Sequence, residues 1–438
     1  MRIVLLSTYE LGRQPFGLAS PAAWLRAAGH RVTTADLAVT HVPGATIEEA
    51  DLIAFYLPMH TATRLFLRVL DRIKAANPWA HLCAYGLYAP LNAPMLRRNG
   101  IDSILGGEFE QGLVELAAGH CGQPRISLER QEFQVPDRSG LPPLTAYARL
   151  VTIDGPRVVG YTEASRGCKH LCRHCPVVPV YEGAFRVVQS DVVLEDVRRQ
   201  VAAGAEHITF GDPDFFNGPT HAMRIVEALH AEWPSLTYDA TIKVEHLLRH
   251  RDLLPRLRAT GCAFVTSAVE SLDDVVLERL EKGHTRADFL EALELMQAAG
   301  LPLSPTFLPF TPWTTIESYR DFLRTLASLG LARQVAPVQL TIRLLLPEGS
   351  LLLDTPDVRD LIEPFDSRGL CYPWRHPDPA VDALHAAIQE TVKREERRKS
   401  SRAEIFRKIC ALAGGGDFPD LVLPDRATIP YLTEPWYC

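Results

Sequence analysis

The chain has 438 residues, of which 47% are hydrophobic and 23% charged, and its formal net charge is -7. This balance excludes a disordered chain, and the length predicts two or three structural units. No basic stripe stands out against the negative charge, so we expect a small-molecule substrate and no nucleic-acid partner.

The first residues are apolar over too few positions to form a signal peptide, and no later stretch is long enough to span a bilayer. We therefore expect a cytoplasmic protein with no membrane partner. An odd number of scattered cysteines predicts buried thiols, metal ligands or reactive thiols rather than a disulfide framework. The nine are Cys83, Cys121, Cys168, Cys172, Cys175, Cys262, Cys371, Cys410 and Cys438.

Residues 1–120 alternate short apolar runs with segments of helical period, which is typical of a parallel sheet with crossover helices. The pattern predicts an α/β, doubly wound domain of Rossmann or flavodoxin type. Its predicted strands are residues 3–6, 31–35, 52–56, 81–85 and 103–106, and its predicted helices are residues 19–28, 61–75 and 90–98.

Residues 121–157 are poor in periodicity and are predicted to form a linker. A second series of strands and helices then fills residues 158–353 and predicts a partial (β/α)6 barrel. Residues 354–438 are predicted to form a small C-terminal extension, helical near 380–411 and ending in a tail. The six barrel strands are predicted at residues 159–163, 207–210, 237–242, 263–268, 303–308 and 338–345.

The strongest chemical signal is a C-x3-C-x2-C array, Cys168, Cys172 and Cys175, directly after a predicted strand. Three thiolates from one short loop can ligate three irons of a cubane cluster and leave the fourth iron open to another ligand. The alternative is a structural zinc site completed by His170 or His174, in a non-catalytic module that binds a partner protein. Structural zinc sites usually pair two separated knuckles, and no second C-x2-C pair is present.

With this array, residues 158–353 resemble the radical S-adenosylmethionine (SAM) superfamily. The resemblance implies a [4Fe-4S] cluster on the three cysteines, SAM at the open iron, and an electron donor such as flavodoxin or ferredoxin. His174 would then lie by the SAM adenine. Gly211, Asp212 and Asp214 resemble the segment that binds the SAM amino group.

The same resemblance implies that Glu270 faces the SAM ribose or amino-acid part, with Lys282 and His284 as nearby supports. A solvated charge is the alternative for Lys282, and a helix cap is the alternative for Asp273. Arg343 lies between apolar residues on the sixth predicted strand, where a buried charge needs a carboxylate partner. The carboxylate of SAM is one candidate.

In the first unit, residues 106–110 resemble the cobalamin-binding-like domain that precedes many radical SAM barrels. The base-off signature D-x-H-x-x-G is absent: His41 and Gly44 retain H-x-x-G, but Val39 stands where Asp is required. Cobalamin binding therefore stays open, and a cobalamin-dependent radical SAM methyltransferase is a second interpretation.

Residues 6–22 and 434–438 are similar to the CUAEP/CCAEP-tail radical SAM proteins, although the printed sequence stops at Cys438 without Ala-Glu-Pro. One hypothesis is that a UGA codon at that point is read as selenocysteine. Relatives of this kind imply transfer of the 3-amino-3-carboxypropyl group of SAM to arsenic. Arsenic prefers sulfur ligands, so Cys438 is the candidate catalytic thiol, with Cys371 and Cys410 as further thiols that could hold the metalloid.

Overall fold

A computed structural model describes residues 1–120, 125–414 and 430–433 of the chain. These residues form two α/β units, each built on a mainly parallel sheet, with a helical segment after the second unit. In these ranges no helix combines the length and the apolar character that crossing a membrane requires.

The first sheet has six parallel strands in the order β2-β1-β3-β4-β5-β6. Apolar clusters cover both of its faces, as expected for a parallel sheet. The doubly wound prediction is therefore confirmed. The strands are β1 (Arg2–Ser7), β2 (Arg31–Asp36), β3 (Leu52–Tyr56), β4 (His81–Tyr85), β5 (Ser103–Gly107) and β6 (Arg125–Ser127). The helices are α1 (Phe16–Ala27), α2 (Gly44–Glu48), α3 (His60–Ala76), α4 (Tyr88–Leu91), α5 (Ala93–Arg98) and α6 (Glu110–Ala117).

The second sheet has seven strands in the order β14-β13-β12-β11-β8-β7-β15 and curls into a half-barrel. Five of them are parallel, whereas β7 pairs antiparallel with both β8 and β15. A separate two-stranded ladder joins β9 to β10. The strands are β7 (Arg149–Thr152), β8 (Gly155–Thr162), β9 (Ser165–Gly167), β10 (Phe185–Val187), β11 (His207–Phe210), β12 (Thr237–Thr241), β13 (Cys262–Glu270), β14 (Leu303–Phe307) and β15 (Tyr431–Leu432).

Helices of the second unit and of the segment after it surround this sheet. They are α7 (Val178–Tyr181), α8 (Ser190–Ala202), α9 (Pro219–Glu232), α10 (Val244–Arg249), α11 (Leu254–Ala259), α12 (Asp274–Arg279), α13 (Arg286–Ala298), α14 (Ile316–Ser328), α15 (Pro356–Arg359), α16 (Pro379–Arg397) and α17 (Arg402–Leu412). The predicted helical stretch at residues 380–411 is therefore two helices. The first ends at Arg397, Lys399 follows with a left-handed φ of +57°, and Ser401 starts a capping box for the second.

One predicted strand, residues 338–345, is wrong. Pro337–Thr341 forms a 3-10 helix, and only a single parallel bridge, Phe310 with Arg343, stands where the sixth barrel strand was expected. Pro337 lacks the N–H that a strand ladder requires. The carbonyl of Leu340 accepts a hydrogen bond from the Tyr319 hydroxyl and not from the backbone of a neighbouring strand. The fold class is nevertheless confirmed, whereas the domain boundaries at 120, 157 and 353 stay predictions.

Candidate functional site

The cysteine array lies on an irregular loop between β9 and α7, beside the carboxyl end of the half-barrel. Gly167 begins the loop with φ +73°, and a β-carbon there would lie 2.4 Å from the Tyr181 ring and 2.5 Å from the carbonyl oxygen of Ala184. Only glycine fits a left-handed position with so little space. The chain can therefore leave the ladder sharply enough to present the cysteines.

Cys172 is buried, whereas Cys168 and Cys175 are partly exposed, and all three are free thiols. The amide of Cys175 donates to the carbonyl of Cys172 at 3.0 Å, which closes a turn between two of the predicted ligands. The amide of Arg173 donates to the carbonyl of Leu280 at 3.0 Å, so the loop is fixed to the segment after α12. These contacts hold the three thiols on one short piece of chain.

Two polar side chains that the sequence analysis missed contact the array. The Lys243 ammonium lies 3.7 Å from the Cys172 sulfur, and the Asn217 amide oxygen accepts from the amide of Lys169 at 3.2 Å. Lys243 follows β12 by two residues, so its place after a buried strand was the available signal. Its positive charge therefore lies beside the buried sulfur.

The donor set fits a [4Fe-4S] cluster. Burial raises the pKa of the Cys168 thiol, and it raises the pKa of Cys175 to about 11, so these sulfurs need a metal to become thiolates at neutral pH. Three such sulfurs on one loop, with the Lys243 cation beside them, suit a negatively charged cluster with one open corner.

The structure offers fewer cysteine ligands to a zinc ion than to a [4Fe-4S] cluster. Within the described residues, one group of possible ligands has all its ligand atoms within 4.8 Å of one another: Cys168, His170 and Asp214. This group contains the predicted His170 but uses a single cysteine of the three. A zinc ion at this group would therefore leave Cys172 and Cys175 without a metal, whereas a [4Fe-4S] cluster uses all three cysteines.

Glu270, His174 and Lys282 form a buried group at the carboxyl end of β13. One Glu270 oxygen lies 3.2 Å from His174 Nε2 and 3.3 Å from the Lys282 ammonium. Burial alone would raise the pKa of Glu270, but Lys282 and His174 together bring it down to about 2. Lys282 is 3% exposed, so the alternative of a solvated charge is wrong. The structure thus brings these three predicted residues together.

His284 lies beside this group, as predicted. Burial and the cations of Lys282 and Lys243 lower the pKa of His284 to about 4, so its imidazole is neutral at physiological pH. Neither ring nitrogen has a hydrogen-bond partner among the described residues. Asp273 is a helix cap, because its carboxylate accepts from the amide of Val275 at the start of α12.

The carboxylates of the segment from Gly211 to Asp214 contact other groups of the protein. Asp212 accepts from the Ser165 hydroxyl at 2.5 Å and from the amide of Ala164 at 3.0 Å, and burial raises its pKa to about 7. A β-carbon on Gly211 would lie 1.8 Å from the Tyr161 hydroxyl oxygen. The glycine therefore leaves space for a tyrosine of the neighbouring strand.

Asp214 is fully buried between two histidines. One of its oxygens lies 2.7 Å from His246 Nδ1 and 3.6 Å from His170 Nε2. Burial would raise the pKa of Asp214, but the two imidazoles hold it below its ordinary value. Because His170 is on the cysteine loop and His246 on α10, the carboxylate joins the loop to the barrel wall. The sequence analysis missed His246, which no local pattern marks.

One predicted residue, Arg343, lies away from these groups. Arg343 donates to Asp382 at 2.6 Å and to the carbonyl of Trp374 at 2.7 Å, and its guanidinium stacks 3.6 Å from the Trp374 ring centre. The carboxylate partner that Arg343 requires is therefore Asp382 of α16. Cys438 lies outside the described residues.

Arg166, two residues before Cys168, connects the two units. Its buried guanidinium contacts carboxylates of Glu110 at 2.7 Å, Glu163 at 2.7 Å and Glu108 at 3.4 Å. Burial raises the pKa of Glu108 to about 7 although Arg166 lowers it. Residues 106–110, singled out for their resemblance, thus hold the strand that leads into the cysteine loop.

A cleft of about 240 Å³ lies between the carboxyl edges of the two sheets. The first unit lines it with residues that follow β1 and β3, among them Glu10, Arg13 and Met59. The half-barrel lines it with Tyr161, Glu163, Arg166, Gly211 and neighbouring residues.

Comparisons with known proteins agree with this geometry. Residues 162–326 match the sequence model of the family described as the Radical SAM superfamily. Hopanoid C-3 methylase of Methylococcus capsulatus is 25% identical over 324 residues, which cover 68% of this chain and 62% of that protein. Ribosomal protein uS12 methylthiotransferase RimO of Parabacteroides distasonis is 26% identical over 195 residues, 41% of this chain and 44% of that protein.

Two solved structures share the fold. The cobalamin-dependent SAM radical enzyme OxsB with aqua-cobalamin bound has a TM-score of 0.70 at 16% identity, covering 89% of this chain and 66% of that chain. The radical SAM methyltransferase TsrM from Kitasatospora setae has a TM-score of 0.57 at 17% identity, covering 75% and 70%. The chain thus spans about two thirds of the length of hopanoid C-3 methylase and of OxsB, and less than half of the length of RimO.

Proposed function

We propose that this chain, whose residues 162–326 match the Radical SAM superfamily model, is an enzyme that cleaves SAM reductively to modify a small-molecule substrate. The superfamily uses a [4Fe-4S] cluster and SAM, and we assign the cluster to Cys168, Cys172 and Cys175. The observation that carries the assignment is three free thiols on one short loop, with the Lys243 ammonium 3.7 Å from the buried one.

When bound, the cluster supplies the electron that breaks a carbon–sulfur bond of SAM. The three cysteines hold the cluster, and Lys243 offsets its negative charge. Glu270, kept ionised by Lys282 and His174, offers an acceptor for hydroxyl or ammonium groups of SAM beside the loop. A low-potential electron donor is the partner that this chemistry requires.

Anaerobic reconstitution of wild-type protein and of Cys168→Ala/Cys172→Ala/Cys175→Ala tests the assignment. We expect about four irons with sulfide per wild-type chain and none in the variant. Cys371→Ala, which changes a partly exposed thiol elsewhere, should keep the iron. One zinc per wild-type chain, lost in the triple variant and kept in Cys172→Ala/Cys175→Ala, would instead support the Cys168–His170–Asp214 site.

The finer reaction that we propose is 3-amino-3-carboxypropyl transfer from SAM to arsenic, which rests on the resemblance of residues 6–22 and of the tail to the CUAEP/CCAEP-tail proteins. Cys438 would hold the metalloid. Product analysis after dithionite reduction distinguishes methylthioadenosine, the coproduct of that transfer, from 5'-deoxyadenosine. The proposal fails if arsenite neither binds the protein nor changes the products.

Cobalamin-dependent methyl transfer is a second candidate, favoured by the fold that the chain shares with OxsB, a cobalamin-dependent SAM radical enzyme. The cleft between the sheets is a poor fit in its described form, because about 240 Å³ is below the roughly 300–1,000 Å³ typical of small-molecule pockets. The described residues that line it include no histidine. Reconstitution with cobalamin, followed by visible absorption of the desalted protein, tests this candidate.

A further inference from the structure

The cleft between the two sheets contains a buried carboxyl group with one oxygen that has no partner among the described residues. Glu10 is 5% exposed, and its Oε2 atom has no hydrogen-bond partner among the described residues. A buried carboxylate oxygen without a partner is costly, and native proteins rarely keep one without a reason. Leu11 and Gly12, the next two residues, both have left-handed backbone angles, φ +50° and +67°. The loop is therefore held in an uncommon conformation that places Glu10 at the cleft.

Within the described part of the chain, none of the cations near Glu10 bonds to its Oε2 atom. The Arg138 guanidinium makes two bonds of 2.8 Å to Asp196, and Arg166 is shared by three carboxylates. Arg13 stacks on the Tyr161 ring, 5.0 Å from its centre, and its Nε also lacks a partner among the described residues. Glu10 therefore has no cation bonded to this oxygen, although the charge of Arg13 is close enough to act against the rise in its pKa.

The position of the cleft points to a ligand. In the sheet order β2-β1-β3-β4-β5, the strand order reverses between β1 and β3, and ligands of open α/β sheets bind at the carboxyl ends of the strands at such a point. Glu10 and Arg13 follow β1, and Met59 follows β3. At about 30 Å³ per water, the volume of about 240 Å³ equals roughly eight waters, the size of a small organic molecule.

We propose that this cleft binds the ammonium group of a small-molecule substrate, with Glu10 as the carboxylate that accepts it. Burial and the nearby carboxyl of Glu163 raise the pKa of Glu10 well above its ordinary value when the cleft is empty, and an ammonium ion would reverse that effect. The inference rests on the proposed function only in naming the ligand a substrate. It assigns a substrate class that the cysteine loop does not.

The test uses anaerobically reconstituted, SAM-saturated protein and n-propylammonium as the probe, with n-propanol as the neutral equivalent. Propylammonium should raise the melting temperature in a saturable way, and propanol should not. Glu10→Gln should raise the concentration for half-maximal shift at least about tenfold, because it removes the charge from a buried pair. Glu278→Gln, an exposed glutamate on α12, should behave as wild type.

Glu10→Asp keeps the charge and should still select the ammonium over the alcohol, which covers the case in which Glu10→Gln does not fold. Equal shifts in wild type and Glu10→Gln would overturn the proposal. Competition between SAM and the probe would also overturn it, because Glu10 would then serve SAM. Iron content and SAM cleavage in the same preparation report separately on the proposed function: an iron-free protein that still selects the ammonium refutes only that function.

Discussion

Replacing Lys282 by Met should destabilise the protein through Glu270. The pKa of Glu270 is about 2 against an ordinary 4.5, and each tenfold change in proton affinity corresponds to about 1.4 kcal/mol. The ionised carboxylate is thus favoured by about 3 kcal/mol in the folded protein, mainly by Lys282. We expect Lys282→Met to lower the free energy of unfolding by about this amount at neutral pH.

The pH dependence gives the sign of the effect. A depressed pKa contributes stability that is present above about pH 4.5 and lost as the pH falls towards about 2. Without Lys282, Glu270 should take up a proton at a higher pH, so the deficit of the variant should be larger at about pH 8 than at about pH 5.5. Urea unfolding followed by circular dichroism at the two pH values measures both quantities.

Two controls distinguish the loss of the Lys282–Glu270 ion pair from a nonspecific loss of stability. Arg256→Met removes an exposed pair with Glu227 and should cost less than about 1 kcal/mol. The double variant Glu270→Gln/Lys282→Met should recover much of the loss, because no unpaired charge remains buried. A Lys282→Met variant within about 0.5 kcal/mol of wild type, with no pH trend, would refute the reasoning.

Three further predictions concern the groups around the cysteine loop and the barrel. Burial raises the pKa of Asp212 from 3.8 to about 7, so its stabilising effect is largest below about pH 4 and is lost as the pH rises to about 7. Between about pH 4 and pH 7, the free energy of unfolding of Asp212→Asn should therefore rise by up to about 4 kcal/mol relative to that of wild type. Urea titrations measure this, and a difference between the two proteins that stays constant with pH would contradict it. Arg166→Met should cost at least about 3 kcal/mol of unfolding free energy, because three carboxylates lose their cation; a loss below about 1 kcal/mol would contradict the buried cluster. Gly261→Ala should lower the melting temperature more than Gly204→Ala. Both glycines have φ near +95°, but only at Gly261 would a β-carbon lie 2.7 Å from a backbone carbonyl oxygen. Equal decreases in melting temperature would contradict this clash.

The parallel sheet of the first unit was predictable because its strands are buried on both faces and read as apolar runs. The structure has β3 and β4 at residues 52–56 and 81–85, as predicted. The run at residues 338–345 is also rich in apolar residues, but Pro337–Thr341 forms a 3-10 helix, because Pro337 cannot donate to a strand ladder and Tyr319 donates to the carbonyl of Leu340. Such contacts are tertiary and leave no periodic signal.

The candidate site also has a part that the local sequence predicted and a part that depends on tertiary contacts. The cysteine loop is continuous in sequence, so its spacing alone predicted three ligands together. The contact of Asp214 with His246 and that of Lys243 with Cys172 join segments 32 and 71 residues apart, and no spacing rule links them. Resemblance to a family supplied Glu270 and His174, whereas the carboxylates that surround Arg166 became visible only in the fold.

Arg166 also connects the two proposed sites physically. It lines the cleft with Glu10, and the chain from Arg166 reaches Cys168 after one glycine. Its guanidinium is shared by Glu110 from α6 and by Glu163, which follows β8 and also lines the cleft, so a cation bound at Glu10 would lie near this buried cluster. Because buried charges interact strongly over short distances, binding in the cleft should alter the electrostatic environment of the cysteine loop. We therefore expect a probe that binds at Glu10 to shift the electron paramagnetic resonance spectrum of the reduced cluster in wild type, and not in Arg166→Met.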